Sequence, residues 1–355
     1  MAFDPVPVAA RCGRGTLAAV APPVRFAVWG VDHLHAFSMV GLLAAAGAEF
    51  AAFHSDDGPL SDGFAKTFSG ARRVDEPRAF LEDDTIGLVA CVAVPDRRAH
   101  FAEQALRHGK HCLVDKPGAI SLDELERLRR VQRETGRRWV VFFSERFASP
   151  ATVRAGELVQ SGAIGHPVHV LGVGPHRLGL APRPDWFYRR ERAGGILADL
   201  GSHQADQFLY FTDSDAAQVA AAQTANRAHP EHPAFEDVGE MLLRSATASG
   251  YARVDWFTPD GLDTWGDVRL SVVGTEGTLE VRKNCDPAGR EGGEHLFLTD
   301  RKQTRHFDCR EHPLPFAAAL LNDVAQGTES AVGQDHVFLA SELALRAQAL
   351  AASGS

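Results

Sequence analysis

The stretch Val24-Arg25-Phe26-Ala27-Val28-Trp29-Gly30-Val31-Asp32-His33-Leu34-His35 decides the fold. Its first six residues are a mostly apolar run, the pattern of a strand buried on both faces. Gly30 ends that run with a residue able to take the positive φ of a sharp strand-to-helix turn. From Leu34 to Ala46 the apolar period becomes helical, with Leu34, Phe37, Val40 and Leu43–Ala44 on one stripe. Gly47 closes the helix, and Glu49 to Phe53 reads as a second strand. Strand, tight turn, helix and strand within about 30 residues make a βαβ unit.

Working outward, the alternation continues. Ile86 to Val94 reads as a buried strand, Asp96 to His108 as a helix with Gly109 as its C-cap, and His111 to Val114 as a short strand. Ser121 and Glu124 form a capping box ahead of Leu125, Leu128 and Val131, and Trp139 to Phe143 is another strand. Strands separated by helices imply a parallel sheet covered on both faces, so residues 24–147 read as a doubly wound α/β domain. The rest, residues 148–355, reads as an α+β domain. Helices near 150–161 and 200–211 and a strand near 167–173 are followed by strands at 218–225, 238–243, 252–257, 268–273, 278–281 and 296–298. No helix separates those later strands, so the sheet is expected to be open and mainly antiparallel, with helices at 314–326 and 333–352 closing the chain. Residues 1–23 read as a mobile extension.

Composition narrows the function classes. Of 355 residues, 45% are hydrophobic and 23% charged, which excludes a wholly disordered chain and a collagen-like repeat. A formal net charge of −9 argues against non-specific nucleic-acid binding. The five cysteines, Cys12, Cys91, Cys112, Cys285 and Cys309, are widely spaced with no CxxC, so neither a disulfide framework nor a zinc ribbon is expected. Cys91 and Cys112 lie in apolar runs and read as inert thiols suited to a reducing cytoplasm. No apolar run approaches the roughly 18 residues of a membrane span. Arg11 and Arg14 precede only the short stretch Leu17 to Ala21, too brief for a signal-peptide core.

A doubly wound sheet binds ligands at the carboxyl ends of its strands. At the first such end, the dinucleotide fingerprint GxGxxG keeps only Gly30. Asp32 stands at the second glycine's place and His35 at the third. The helix that follows still points N–H groups at a phosphate. Asp32 suits an N-cap, but its carboxylate would repel a pyrophosphate unless it turned away or was offset by His33 or His35. Three readings of the histidines stay open: polar surface, contact with cofactor or substrate, or a metal site with Asp32, for which no further ligand is evident and no metal is expected. The end of the second strand offers Ser55, then Asp56 and Asp57. The serine tolerates a 2′-phosphate and the aspartates oppose one, which leaves NAD and NADP undecided.

Two further segments carry the chemistry. In Gly109-Lys110-His111-Cys112-Leu113-Val114-Asp115-Lys116-Pro117, a lysine stands at a strand's carboxyl edge before a proline. In Gly194-Gly195-Ile196-Leu197-Ala198-Asp199-Leu200-Gly201-Ser202-His203-Gln204-Ala205-Asp206, Asp199 and His203 are spaced to share one face of a helical turn. Here the chain resembles the sugar and cyclitol dehydrogenase family named after glucose–fructose oxidoreductase, inositol dehydrogenase and the rhizopine catabolism protein MocA. Asp115-Lys116-Pro117 is similar to that family's Glu-Lys-Pro. Gly194–Gly195, Asp199, Gly201, His203 and Asp206 match its Gly-Gly…Asp-x-Gly-x-His-x-x-Asp, and Gly274 to Val281 looks like its late hairpin. Two departures stand out: the degraded fingerprint, and Val94-Pro95-Asp96-Arg97-Arg98-Ala99 where the family has Thr-Pro-Asn-x-x-His, with His100 one position late.

The resemblance implies a Rossmann domain followed by an open-sheet domain, and an NAD- or NADP-dependent oxidoreductase acting on a sugar, cyclitol or derivative. It places Lys116 and His203 beside the reacting hydroxyl, with His203 as proton acceptor and Lys116 as donor to the substrate oxygen, or the reverse. Asp199 holds substrate or orients them. Gly30, Val31, Asp32, His33, Leu34, Ser55, Asp56, Val94, Pro95, Asp96, Asp115 and Lys116 are the expected cofactor contacts. Lys116, Arg146, His176, Trp186, Asp199 and His203 are the expected substrate contacts, with Arg177 and Arg183 as further candidates and Asp206 open between a structural role and the pocket. A homodimer or homotetramer through the exposed sheet face is expected. Two alternatives remain at this stage, an NAD-dependent glycoside-cleaving enzyme and a non-catalytic dinucleotide-binding protein.

Overall fold

The structure, a computed structural model, describes residues 23–180 and 183–353. The expectations for Cys12, for Arg11 and Arg14, and for an extension over residues 1–22 lie outside the described residues. The first half runs β1 (Arg25–Trp29), α1 (His35–Ala45), β2 (Glu49–His54), α2 (Pro59–Thr67), β3 (Arg72–Arg73), α3 (Arg78–Leu81), β4 (Ile86–Cys91), α4 (Pro95–Arg107), β5 (His111–Asp115), α5 (Leu122–Thr135) and β6 (Trp139–Phe142). The strands form one parallel sheet in the order β3-β2-β1-β4-β5-β6. The strand order reverses between β1 and β4, so their carboxyl ends frame a crevice. The capping box is present in altered form. Ser121 Oγ accepts from the Glu124 amide at 3.2 Å, but Glu124 Oε2 reaches the Ile120 amide at 2.9 Å.

The second half runs α6 (Ser144–Phe147), α7 (Pro150–Gln160), β7 (Pro167–Pro175), α8 (Arg190–Ala193), α9 (Ile196–Asp199), α10 (Gly201–Thr212), β8 (Gln218–Ala225), β9 (Val238–Arg244), β10 (Ser249–Asp255), β11 (Arg269–Gly274), β12 (Gly277–Arg282), β13 (His295–Asp300), β14 (Thr304–Asp308), α11 (Phe316–Gln326) and α12 (Gln334–Ser353). The second sheet has the order β14-β13-β12-β11-β7-β10-β9-β8. Its pairings are antiparallel except β7 with β10. β10 and β11 run in opposite directions on either side of β7, so one of those two pairings has to be parallel.

The buried α10 packs on the inner face of this sheet. Close approach there depends on Gly172 and Gly174 of β7: a Cβ on Gly172 would overlap Gln204 Oε1, and one on Gly174 would sit 3.2 Å from Gln204 Nε2. The last two helices, grouped with the second domain by the sequence, return to the first sheet. Phe338 of α12 stacks on Trp139 at 4.9 Å, and Gln334 brackets the Trp139 backbone, accepting from its N–H at 3.0 Å and donating to its C=O at 2.7 Å. That contact covers the edge strand β6. Among the described residues no helix is long and apolar enough to cross a membrane.

Candidate active site

Gly30 has φ +81, and a Cβ there would lie 2.6 Å from Ala93 Cα, so the first turn needs glycine both for its backbone and for its contact with the loop after β4. Asp32 does not cap α1. The N-cap position is Leu34, with no side-chain cap, and Asp32 Oδ2 instead accepts the Val94 amide at 3.1 Å. Only Gly, Ser, Thr, Asn and Asp serve well at an N-cap, and with Leu34 there the aspartate is free to lace two loops together. Burial raises its pKa and the Val94 bond offsets part of that rise. The carboxylate is thus engaged by a backbone donor, which offsets part of the repulsion expected for a bound pyrophosphate. Ser55 is buried and its Oγ accepts the Val31 amide at 3.0 Å, while Asp56 pairs with Arg97 at 2.7 Å and Asp57 with Arg73 at 2.7 Å. A glycine turn, a helix N-terminus and an acidic residue at the end of β2 together fit a dinucleotide.

The turn after β5 is held from beneath by Arg98, which is 1% exposed. Its Nε donates to Ala93 O at 2.7 Å, its Nη2 to Asp115 Oδ2 at 2.9 Å, and its Nη1 to the carbonyls of Asp115 and Pro117 at 3.2 Å and of Lys116. Arg98 falls within the segment where the resemblance expects Thr-Pro-Asn-x-x-His, and His100 makes only a tilted ring contact with Phe101. Asp115 is fully enclosed. Burial alone would raise its carboxyl, but His35 and Arg98 outweigh that and hold it well below the usual carboxylate range.

From this turn Lys116 crosses to the second domain and donates from Nζ to Asp199 Oδ1 at 2.6 Å, with the two side chains 8% and 20% exposed. Asp199 ends α9, Leu200 keeps a helical backbone, and His203 follows in the first turn of α10. Gly194 and Gly195 set the approach to α9. Both have φ +91, and a Cβ at Gly195 would overlap the Gln348 side chain. His203 is 2% exposed and its Nδ1 is buried without a hydrogen-bond partner. Burial first, then the cations Lys116 and Lys283, push its pKa well below that of a free imidazole, so it is neutral. His176 belongs to the same cluster. Its Nδ1 lies 3.1 Å from Gly174 O, its ring meets Trp256 and Trp265, and burial followed by Lys116 lowers it to about 3. A small cavity beside Asp199 has Phe187, Phe235 and Trp256 among its walls.

The other expected contacts are divided between fold-building pairs and the cavity walls. Arg146 does not face the pocket with a free charge: it makes a two-pronged pair with Asp206 at 2.7 and 2.6 Å, and His336 reaches the same aspartate at 2.8 Å. This ties α6, α10 and α12 together and gives Asp206 a structural role. Arg177 donates to Pro259 O at 3.0 Å and pins the loop after β10. Arg183 lies over the rings of Phe187 and Trp256, and Trp186 is half-buried beside Phe187. Asp96 pairs with Arg192 of α8 at 2.8 Å, linking the two domains.

Some groups at the site are absent from the sequence reading. Glu145 is buried, with Oε2 accepting from Gln204 at 2.8 Å and Gln207 at 3.1 Å, and with Oε1 unpartnered. Burial raises its pKa, with Lys283 opposing, and the buried Lys283 donates to the Glu145 carbonyl. The spacing Gly172-x-Gly174 in an otherwise apolar strand was the one available sign that large polar side chains lie against it. The histidine pair has its partner 80 residues away in the chain. His35 Nδ1 lies 2.8 Å from Asp115 Oδ1, and ligand atoms of His33, His35 and Asp115 all fall within 4.8 Å of one another.

A Rossmann turn facing a Lys–Asp–His cluster on a mixed open sheet defines a class of two-domain oxidoreductases, and comparisons with known proteins give the same answer. Residues 24–143 match the family model described as oxidoreductase family, NAD-binding Rossmann fold, and residues 152–280 match the GFO/IDH/MocA C-terminal domain. A solved structure from Erwinia carotovora atroseptica SCRI1043, described as an oxidoreductase, is 41% identical with a TM-score of 0.90, covering 92% of this chain and 98% of that one. The D-xylose dehydrogenase of Paenarthrobacter nicotinovorans is 25% identical over 54% of this chain and 49% of its own length. The scyllo-inositol 2-dehydrogenase (NAD(+)) of Bacillus subtilis is 28% identical over 58% of each. The chain thus spans about half to three fifths of the length of these two curated relatives. The chain belongs to the Gfo/Idh/MocA oxidoreductase family.

Proposed function

We propose that the chain is an NAD- or NADP-dependent dehydrogenase or ketoreductase that moves hydride between nicotinamide and a secondary alcohol or ketone of a sugar, cyclitol or sugar derivative. The observation that carries this reading is the 2.6 Å pair between Lys116 and Asp199, which ties the end of β5 to α9, just ahead of the helix bearing His203. The residues fit a dinucleotide at the Gly30 turn, and the bound nicotinamide would supply the hydride chemistry. The protein's part is proton handling. Lys116, held by a carboxylate at 2.6 Å, is suited to hydrogen-bond the substrate oxygen. The neutral His203 is suited to accept the hydroxyl proton, and the nearby cation drives that proton onward once taken. The neutral, partnerless Nδ1 of His203 and the pairing of Lys116 with Asp199 support His203 as acceptor and Lys116 as donor rather than the reverse. The aromatic walls beside Asp199 suit the apolar face of a sugar ring. The outward face of the second sheet exposes Val168, Leu171 and Leu242, which suits pairing with a second copy of the chain.

Fluorescence titration with NADH and NADPH is the first test. Saturable binding of one is expected, and binding of neither rules out an enzyme of this kind. Turnover on a panel of sugars and cyclitols follows, with net NADH or NADPH formation expected. Release of an aglycone without net reduction would favour the glycoside-cleaving reaction instead.

A further inference from the structure

α9 is a single turn, Ile196–Asp199, and Asp199 at its end is the partner of Lys116. A helix this short is not stable by itself, because nucleation fixes more dihedrals than its few hydrogen bonds offset. It also lacks a side-chain cap of its own. The N-cap position is Gly195, whose φ of +91 follows an equal φ at Gly194. Ile196 and Leu197 therefore begin the turn with N–H groups that have no partner inside it. Two side chains from distant parts of the chain meet them. Glu236, just ahead of β9, accepts the Ile196 amide at Oε2 over 2.9 Å. Gln348, near the end of α12, accepts the Leu197 amide at Oε1, also over 2.9 Å. The two are themselves joined, with Gln348 Nε2 donating to Glu236 Oε1 at 2.8 Å and to Oε2 at 2.9 Å.

We infer that Gln348 and Glu236 are positioning residues for the reaction: they clamp the start of α9, and so fix Asp199 and, through it, Lys116 Nζ against the substrate oxygen. The inference rests on the reading of Lys116, Asp199 and His203 as the reacting cluster. Gln348 is buried and Glu236 largely covered. Thr224 Oγ1 donates to Glu236 Oε1 at 3.0 Å, and Arg190 stands 3.8 Å from the same oxygen. Both oxygens of Glu236 thus have protein donors, so the residue holds the wall of the cavity beside Asp199 rather than serving a substrate as base. Gly195 admits the clamp, since a Cβ there would lie 2.4 Å from Gln348 Cδ and Oε1. α12 also gives the clamp its reference point. About four turns before Gln348, the same helix brackets Trp139 on the first sheet through Gln334. α9 is therefore held from the sheet whose β5 carries Lys116. The bonds fall on amides three and two residues ahead of Asp199, so their effect on the rate runs through that side chain.

The test is a double-mutant cycle on the full chain. It is read by steady-state turnover of the sugar or cyclitol that the wild type accepts, by NADH or NADPH affinity from fluorescence, and by amide hydrogen exchange. Gln348→Met keeps the volume and removes both the acceptor and the donor. It is expected to quicken exchange over residues 195–199, to lower kcat about 10- to 100-fold, and to leave cofactor affinity within about twofold. In an Asp199→Ala background the same substitution is expected to cost almost nothing further, because the group it positions is gone. Gln348→Glu keeps the acceptor for Leu197 but sets a carboxylate against Glu236, and is expected to be slow. Adding Glu236→Gln exchanges amide and carboxylate and is expected to recover most of the rate. Losses in kcat that multiply across Gln348 and Asp199 overturn the inference while leaving the oxidoreductase reading intact. A loss of cofactor affinity as large as the loss of rate does the same, as does unchanged exchange over residues 195–199. Where Gln348→Met does not fold, the exchanged pair decides, and its failure to restore the rate overturns the inference. No turnover by the wild type on any sugar or cyclitol overturns both.

Discussion

Replacing Lys116 with Met tests the centre of the site while keeping most of the side chain's apolar volume. The ammonium lies 2.6 Å from Asp199, and the two side chains are 8% and 20% exposed. Removing a charged hydrogen bond to the substrate oxygen costs about 1.5 kcal/mol or more, roughly tenfold. Losing the cation that drives the proton off His203 removes proton-transfer assistance of about 10². Together these predict a fall in kcat/KM of about 10³, or ~4 kcal/mol in the barrier. Stability should change little. Asp199 is open enough to gain water, so the lost pair is worth about 1 kcal/mol after screening, and an apolar buried side chain offsets some of it. The variant also predicts a sign: without Lys116, the second cause of its depression after burial, the His203 pKa rises and the acid limb of the rate profile moves to higher pH. The assay is steady-state turnover on whichever sugar or cyclitol the wild type accepts, with NADH or NADPH affinity measured in parallel by fluorescence. Turnover near the wild-type rate, or a loss of cofactor affinity as large as the loss of rate, would refute the reasoning.

Acidification gives a second expectation. His33, His111, His176 and His203 all have lowered pKa values, His111 to about 4 and His176 to about 3, with burial the leading cause in each. The unfolded chain binds these protons first, near pH 6.5, so stability is lost as pH falls below that value. The loss is up to about 1–2 kcal/mol per group by pH 5, less for the partly exposed His33. A thermal midpoint that stays level from pH 6.5 to 5 would contradict this. Gly30→Ala should strain φ +81 and press on Ala93, destabilising by about 1–3 kcal/mol and weakening NADH binding together. Equal NADH affinity in that variant would show that the turn does not shape the cofactor site. Gln334→Ala should cost about 1–3 kcal/mol in denaturant unfolding, because the Trp139 N–H and C=O lose their partners at the sheet edge. An unchanged midpoint would mean that water replaces the bracket.

The first sheet was legible because its information is local. The apolar run before Gly30, the helical stripe after it and Gly47 behind that each act on their own neighbours, and they match β1, the α1 turn and β2 within a residue or two. The short elements between 59 and 81 carry no such pattern: β3 has two arginines, and its strand character comes only from pairing with β2. The thiols behave as their apolar runs imply, with burial pushing Cys91 up to about 12. In the site, Lys116, Asp199 and His203 were legible through the family resemblance, since by itself each residue type fits an ordinary surface or cap.

The amino-acid order carried the parallel first sheet, the open second sheet and the sharp turn at Gly30, and with the family resemblance it pointed to Lys116, Asp199 and His203 as candidates. What it left open were the partners of charged groups. Arg146 is committed to Asp206, Asp32 to Val94, and Asp115 to both Arg98 and His35, across 60, 62, 17 and 80 residues of chain. Helix and strand periods report which face is buried, because burial acts on each side chain through its own transfer free energy. A buried charge is different. It is stable only beside a specific opposite charge or donor, and that partner is supplied by the folded sheet edges, not by neighbours in sequence. The tertiary structure therefore decided which charges the site holds in reserve, and it turned the degraded glycine loop into a histidine held by a buried aspartate.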